Sequence, residues 1–351
     1  MKRLYSLDFL KLIFAYVIAY FHFGHTIAPG PTVTVQIFFF ISGFFLARKY
    51  YSRSYSDGGA HYNQWNYTLD HVKGLYPHYV FAYALFFLYN TARAAVVFLH
   101  APSFQPIRET LLSLYDQIPN MLFMQSAYHF HDNMNYPLWQ LSALVIGGYF
   151  VYGMLCHNEK LSRQLLFPAA ILMAQSLLYS GVGLDDNYGP VYMPLLRAFT
   201  GLSWGVLVYY FTTTSCYALL KQKYTLFNIA ATISLLCIFV YADHGNIHYI
   251  TGCLLILGCY EKESWLNKLL NHAVFKHCGK LSLSIYLNHA LVCRFTNGWL
   301  FPHLDGWGLS TNRLQKDLIF FFLLTIASAA ALWLVEVWLL RRKKQPITAK
   351  D

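Results

Sequence analysis

The chain has 351 residues, of which 56% are hydrophobic and only 12% are charged, whereas a soluble domain carries about 25% charged residues. This composition excludes an ordinary soluble domain and indicates a membrane protein with several apolar spans. The formal net charge of +10 would suit a nucleic-acid-binding protein, but the basic residues cluster between apolar runs and no nucleic-acid-binding motif occurs.

Apolar runs recur from one end of the chain to the other. Since a spanning helix needs about 20 mostly apolar residues, the pattern predicts an all-α transmembrane bundle of about ten spans. One transmembrane domain would cover residues 1–345, with a cytoplasmic tail at 346–351. The predicted spans lie near residues 8–27, 33–50, 75–99, 137–156, 165–182, 190–212, 225–242, 246–260, 280–301 and 317–340. The N-terminus resembles the start of a signal peptide, but no convincing cleavage site follows, so the first helix is expected to be retained.

Lysine and arginine are concentrated in alternate loops, which predicts the orientation of the chain. Basic residues are frequent near both termini and in every second loop, and the opposite loops carry little beyond Arg108, Arg313 and Lys316. Because positively charged loops stay on the cytoplasmic side, both termini are predicted to be cytoplasmic. Residues 101–136 would then form an extracytoplasmic loop, with a short apolar piece at residues 118–124 lying at the membrane interface.

The first predicted helix carries ionisable residues that are costly in a bilayer, namely Asp8, Lys11, His22 and His25. From Lys11 to His22 the helix makes three turns plus about 20° and rises about 16 Å, so both side chains share one face. Asp8 precedes Lys11 by three residues and is predicted to pair with it. Such groups usually face a protein interior or a cavity and mark a functional path. The alternative is an interfacial histidine pair with a snorkelling lysine.

Later spans carry polar or small residues inside apolar runs. Gly43 in the second span and Gly201 and Gly205 in the sixth predict close helix contacts. In the ninth span, Ser282, Tyr286 and His289 fall within two turns on one face, which predicts either a site wall or a helix–helix hydrogen-bond seam.

Three further positions are candidate binding residues. Lys73 precedes Tyr76-Pro77, where proline suits the first turn of a helix, and could meet a phosphate from the cytoplasm or simply be a positive-inside charge. Arg197, near the outer end of the sixth span, could hold an oxyanion or an acidic acceptor, or could snorkel. Trp139 opens the fourth span.

The cysteines and the outer-loop histidines do not predict a metal centre. The seven cysteines are odd in number, form no C-x-x-C pair and lie mostly in apolar runs, so we expect neither a disulfide framework nor a zinc site. His129, His131 and Asp132 are close in sequence, but a polar outer loop explains them more simply than a metal site does.

The order and spacing of these motifs resemble the acyltransferase-3 family of integral-membrane O-acyltransferases. The resemblance runs from Leu7 to about Ala290 and rests on Leu7-Asp8-Phe9-Leu10-Lys11, His22, Phe38-Phe39-Phe40-Ile41-Ser42-Gly43-Phe44, Leu75-Tyr76-Pro77, Leu138-Trp139-Gln140-Leu141-Ser142 and Gly279-Lys280-Leu281-Ser282-Leu283-Ser284-Ile285-Tyr286-Leu287-Asn288-His289. The family's most specific mark is an arginine, ten residues and a histidine in the first helix, and Lys11 and His22 take those places here.

The resemblance implies a ten-helix fold and an enzyme, an O-acetyltransferase. It would move an acyl group from cytoplasmic acyl-CoA, such as acetyl-CoA, to a hydroxyl of a cell-surface polysaccharide or a lipid-linked sugar. The expected location is the cell membrane, as a multi-pass protein of a bacterial inner membrane. No bound cofactor, metal or nucleic acid is expected, and acyl-CoA is the donor substrate.

The resemblance also implies roles for individual residues. His22 is the candidate base, because neutral imidazole is the usual side chain for that task near neutral pH, and Lys11 would bind or orient the donor. The further candidates for substrate or donor binding are His25, Lys73, Trp139, Arg197, Tyr286 and His289.

This chain departs from the family pattern at three places. Lys11 keeps the charge of the usual arginine but loses its bidentate fork. His71 and Gly74 stand where such proteins often have a pair of arginines, and Ala143 stands where some have an acidic residue.

Two other functional classes remain open from the sequence. A transporter or flippase of glycan or lipid would use the charged first helix to line a permeation path, although we find neither internal repeats nor paired broken helices. A non-catalytic partner subunit would keep the fold without the chemistry. Transfer of label from acetyl-CoA distinguishes these classes from the enzyme.

Overall fold

A computed structural model describes residues 3–24, 31–56, 62–100, 103–126, 134–181, 187–188, 191–222, 228–230, 232–233, 247–309 and 311–344. In chain order the α-helices are α1 Tyr5–His22, α2 Pro31–Ser56, α3 Gln64–His100, α4 Gln105–Asp116, α5 Ile118–Met121, α6 Trp139–Leu161, α7 Phe167–Tyr179, α8 Met193–Phe211, α9 Ser215–Gln222, α10 Ile247–Tyr260, α11 Trp265–Leu270, α12 Cys278–Phe295, α13 Phe301–Gly306 and α14 Arg313–Lys344. Short 3₁₀ turns cover Tyr136–Leu138 and Ala273–His277, and π-helical turns cover Ser162–Leu166 and Thr296–Leu300. A two-residue antiparallel ladder pairs β1 Asn187–Tyr188 with β2 Val191–Tyr192.

The fold is an α-helical bundle, as the sequence predicts. Nine of the ten predicted spans overlap the helices named above. Of the remaining span, 225–242, the structure describes only residues 228–230 and 232–233, which are helical. Within the described chain, four helical runs are long and apolar enough to cross a membrane by length and composition: Val33–Ser52, Gln64–His100, Tyr136–Tyr179 and Arg313–Leu339. His248–Tyr260 is a shorter apolar helix. The count of ten spans and the orientation of the termini remain predictions.

Helix α2 packs most extensively against α8, and the glycines predicted to allow close contacts form that crossing. A Cβ added at Gly43 would overlap the backbone carbonyl of Leu202, and one added at Gly205 would overlap the backbone carbonyl of Phe40. A Cβ at Gly201 would come within 2.6 Å of the Cβ of Phe39. The prediction of tight helix contacts at these glycines is confirmed, because the two backbones meet without side chains between them.

Helix α1 lies along α12, and polar bonds fix its position. The Ser282 hydroxyl donates to the Lys11 carbonyl oxygen at 2.8 Å, and the Ser6 hydroxyl donates to the Cys259 carbonyl oxygen at 2.7 Å. Gly24 follows the helix with a φ of +106°, a left-handed conformation that readily ends an α-helix. His22 is therefore held in the last turn of α1.

The third helix differs from its prediction. It begins at Gln64 rather than near residue 75, so Lys73 and Pro77 both lie inside it. Pro77 has no N–H for the carbonyl of Lys73, four residues earlier. The helix continues through this gap because residues on both sides of the proline, such as Tyr67 and Tyr79, are buried against the bundle.

Helices α6 and α7 are joined by a sharp break at Asn158, whose backbone is extended (φ −154°, ψ 92°). The Ser162 hydroxyl donates to the Met154 carbonyl oxygen, eight residues earlier, at 2.8 Å. Residues eight apart in a straight helix would be separated by a rise of about 12 Å, so the chain bends strongly here. The break lies where the sequence predicts a loop between the fourth and fifth spans.

Candidate active site

The inner part of the candidate site is a cavity of about 220 Å³ among α1, α2, α3, α6 and α12. Its polar lining residues are Lys11, Ser42, His71, Gln140, Ser282 and Tyr286. Ser282 lies in this lining because its hydroxyl donates to the Lys11 carbonyl oxygen, and that bond holds α12 against α1. The cavity therefore combines one lysine with neutral hydrogen-bonding groups inside an apolar bundle.

Lys11 is half-buried, and an aromatic ring supports its ammonium group. Its Nζ lies 4.8 Å from the ring centroid of Phe45, a cation–π distance. The predicted Asp8–Lys11 pair is wrong, because the Asp8 carboxylate instead pairs with Arg3 at 2.6 Å. Asp8 also sits against Gly279 in the first turn of α12, where a Cβ would come within 2.5 Å of its Oδ1. The carboxylate thus pairs with Arg3 and lies beside the N-terminus of α12, which favours negative charge.

The outer part of the candidate site is a stack of two histidines. The rings of His22 and His289 are 5.2 Å apart at 24°, and the Tyr136 ring meets His22 edge-on at 5.0 Å. His22 is half-buried and His289 is fully buried. The His289 Nδ1 lies 2.7 Å from the Tyr286 carbonyl oxygen. Since a carbonyl oxygen only accepts, Nδ1 carries the proton.

That bond determines the state of the other nitrogen of His289. In the neutral ring, Nε2 is then the unprotonated nitrogen, and no atom of the described residues forms a hydrogen bond with it. The ring that stacks on His22 therefore carries a buried nitrogen that is unprotonated and without a hydrogen-bond partner among the described residues. The ninth-span stripe predicted from the sequence does face α1, since its serine holds α1 and its histidine stacks on it.

Tyr286 lies between the two parts of the candidate site. It lines the inner cavity, and its ring is 5.6 Å from that of His289. Its hydroxyl donates to the Pro137 carbonyl oxygen, in the turn that leads into α6. Asn135 in the same turn donates to the Leu287 carbonyl oxygen at 2.9 Å. These bonds fix the boundary between the cavity and the histidine pair.

Arg197 is buried, with only 2% of its surface exposed, so it does not snorkel at the outer end of its helix. Its Nε donates to Gln36 Oε1 at 3.1 Å, and its guanidinium lies 5.8 Å from the Trp139 ring. Gln36 Nε2 in turn donates to the Tyr249 hydroxyl at 3.2 Å. The structure thus joins the predicted residues Arg197 and Trp139 to each other, beside the cavity and not in its lining.

Lys73 does not line the cavity. It is exposed on α3, whereas His71, two residues earlier, faces inward and lines the cavity. Of the other predicted positions, His25 lies outside the described residues, as do His129, His131 and Asp132. In the described residues, no group of three or more His, Cys, Asp or Glu side chains is placed to hold a metal ion.

Two buried polar residues of this region went unassigned by the sequence. Gln140 lines the cavity, and Gln36 holds Arg197. Both are amides inside apolar runs of the sequence. An unpaired amide in hydrocarbon is costly, so their position in such runs already indicates that they have polar partners.

The comparison with protein families shows the family of the chain. The chain matches the acyltransferase-3 model, described as an acyltransferase domain, over residues 4–337. The chain belongs to this family. No curated protein and no solved structure matches it.

Membership in this family makes the chain a membrane acyltransferase with several apolar helices. The matched region contains both parts of the candidate site, because Lys11 and His289 both lie within it. An acyltransferase needs a donor site and a base near the acceptor. The described bundle provides a lysine-bearing cavity and a histidine pair on the same pair of helices, α1 and α12.

Proposed function

We propose that this acyltransferase moves an acetyl group from cytoplasmic acetyl-CoA to a hydroxyl of a cell-surface polysaccharide or lipid-linked sugar. The donor enters from the Lys11 end of α1 and the acceptor from the His22 end. The protein then works as a multi-pass enzyme of the cell membrane, in a bacterium the inner membrane. Acetyl-CoA is a substrate of the reaction and not a resident cofactor.

The observation that carries this proposal is the placement of Lys11 and His22 on one face of α1. A rise of about 16 Å separates them, which is comparable to an extended pantetheine arm. Lys11 lines the inner cavity, and His22 stacks on His289 beyond Tyr286. A thioester carried into the cavity at the Lys11 end thus points toward the histidine pair.

His22 acts as the general base in this proposal. The acceptor oxygen attacks the thioester carbonyl carbon as its proton moves to His22, forming a tetrahedral oxyanion. The C–S bond then breaks, the ester forms, and the proton passes from His22 to the departing CoA sulfur. His22 suits this role because it is half-buried and can meet an alcohol from outside, whereas His289 is fully enclosed.

Tyr136 supports the assignment of the acceptor to this end. Its ring contacts His22, and 41% of its surface is exposed. An exposed aromatic ring beside a base gives a sugar an apolar face to pack against while its hydroxyl reaches the imidazole. This contact supports a sugar as the group that carries the acceptor hydroxyl.

The experiment is transfer of labelled acetyl from acetyl-CoA to glycan in membranes that contain the protein. The variant His22→Ala should lose about 10²- to 10⁴-fold in rate, the usual contribution of a positioned base. His100→Ala is the matched control, because His100 is an exposed histidine at the end of α3. It should transfer acetyl like the wild type.

Membrane insertion of both variants is checked by their yield and thermal stability. Acetylation by His22→Ala at the wild-type rate contradicts the assignment of the base. Export of glycan that does not need CoA, with no acetyl transfer, supports the transporter instead.

A further inference from the structure

Lys49, toward the C-terminal end of α2, lies in a group of polar and aromatic side chains. Its Nζ is 3.3 Å from Asp70 Oδ2 and lies 5.0 Å from the Tyr62 ring and 5.2 Å from the Tyr67 ring. The side chain is 29% exposed. Lys49 is thus a cation held at a defined place that solvent can still reach.

This lysine is connected to the inner cavity through His71. The Tyr67 ring is parallel to the His71 ring, with the centroids 6.1 Å apart at 12°. His71 lines the cavity together with Lys11, and both Lys11 and Lys49 lie near its ring. A row of two lysines with the His71 imidazole between them therefore leads from the solvent-accessible Lys49 into the cavity.

The support beneath Lys49 is rigid because Tyr67 is buried in the bundle. Its ring stacks on that of Tyr152 at 4.5 Å and 8°, and a Cβ at Gly148 would lie 3.3 Å from its Cε1. Gly148 thus makes room for the Tyr67 ring against α6. The ammonium of Lys49 therefore packs on a ring that the bundle holds in place, beside His71 of the cavity lining.

We propose that Lys49 binds a phosphate of the donor's nucleotide, so that the donor is a CoA thioester whose pantetheine arm passes His71 and Lys11 on its way toward His22. This inference rests on the proposed function and moves the phosphate-binding role from Lys73 to Lys49. The Asp70 partner does not prevent it, because an exposed ion pair is weak. A multiply charged phosphate forms the stronger charge-assisted hydrogen bond.

Lys73 provides a matched control for this proposal. It is an exposed lysine on the neighbouring helix α3, two residues after His71, and it does not line the cavity. Removing its charge changes the net charge of this region by the same amount as removing that of Lys49. Only the position relative to the cavity differs.

The test is the binding of CoA itself to the purified protein in lipid nanodiscs, measured by isothermal titration calorimetry. Lys49→Met should raise the Kd for CoA about tenfold, within the range for a hydrogen bond to a charged group. In Lys49→Arg the Kd for CoA should stay within about threefold of the wild-type value, because arginine also binds phosphate. Lys73→Met should leave it within about twofold.

Salt adds a measurement that a purely structural role of Lys49 would not change. The Kd of the wild type should rise with salt concentration, and that rise should be shallower in Lys49→Met, which has lost a screened charge contact. An equal salt dependence in both proteins contradicts the proposal. So does a Kd unchanged by Lys49→Met, a loss as large in Lys73→Met, or a wild type that does not bind CoA.

Failure of the CoA-binding test can be distinguished from failure of the acetyl-transfer assay. CoA binding that depends on Lys49, without His22-dependent transfer, overturns the proposed function and leaves the CoA site in place. Transfer that needs His22 but has the same KM for acetyl-CoA in Lys49→Met overturns this inference alone.

Discussion

The surroundings of Lys11 in α1 indicate what kind of group it can bind. It lines the cavity with its ammonium over the Phe45 ring, while the nearby Asp8 is committed to Arg3. A lysine released from its expected carboxylate partner, and placed in a cavity, is available to an anionic or strongly polar ligand. This fits a contact with the acyl donor.

The Lys11→Met variant tests that contact, because methionine keeps the length and apolar character of the side chain but not the charge. It should raise the KM for acetyl-CoA about tenfold, as expected for loss of a charged hydrogen-bonding group. Lys11→Arg should stay within about threefold of the wild type, since the family usually has arginine here. Steady-state kinetics with labelled acetyl-CoA measures both, and an unchanged KM in Lys11→Met would remove Lys11 from the donor site.

Some residue positions follow from the sequence and others do not. The shared face of Lys11 and His22 follows from helix periodicity alone, and the structure retains it along α12. The partner of Asp8 does not, because Arg3 lies before the helix begins. Likewise, Lys49 lies in α2 and Lys73 in α3, and helix periodicity cannot say which of them lies near a cavity that several helices form together.

At the scale of helices, the α2–α8 crossing is the contact most dependent on small residues. The backbones approach so closely at Gly43 and Gly205 that a Cβ would overlap main-chain atoms, which cannot move aside as a flexible side chain would. Since α2 also carries Ser42 in the cavity lining, this crossing sets one wall of the candidate site.

Gly43→Ala should therefore destabilise the protein by about 1–3 kcal/mol, the usual cost of overpacking a core. Gly74→Ala is the control, because nothing lies within 4 Å of a Cβ at that helical position, and alanine should be neutral or stabilising by up to about 1 kcal/mol there. Thermal unfolding in nanodiscs compares the two. Equal stability of both variants would mean that the crossing is looser than described.

The start of α3 shows why element boundaries are harder to predict than element types. A proline favours the first turn of a helix, so Pro77 predicts a start near residue 75. The helix instead begins at Gln64 and passes through the proline, because tertiary burial on α3 outweighs the one hydrogen bond lost. The sequence around Pro77 alone therefore does not show that α3 begins at Gln64.

At the scale of the whole molecule, the bundle encloses a cavity on one side of Tyr286 and the histidine pair on the other. The all-helical class was predictable from apolar runs of spanning length. The division at Tyr286 was not, because it depends on contacts between α12 and the turn before α6, which are far apart in the chain. In the proposed function, that division lets the donor and the acceptor approach from opposite ends of α1.

The most direct test of this account is a structure of the protein with a non-hydrolysable acetyl-CoA analogue bound. We predict the nucleotide at the rim beside Lys49, the pantetheine arm in the cavity past Lys11, and the acetyl group next to Tyr286. Its carbonyl carbon should lie where a hydroxyl about 3 Å from a His22 nitrogen can attack it. An analogue bound outside the cavity, or with its acetyl group directed away from His22, would contradict the account.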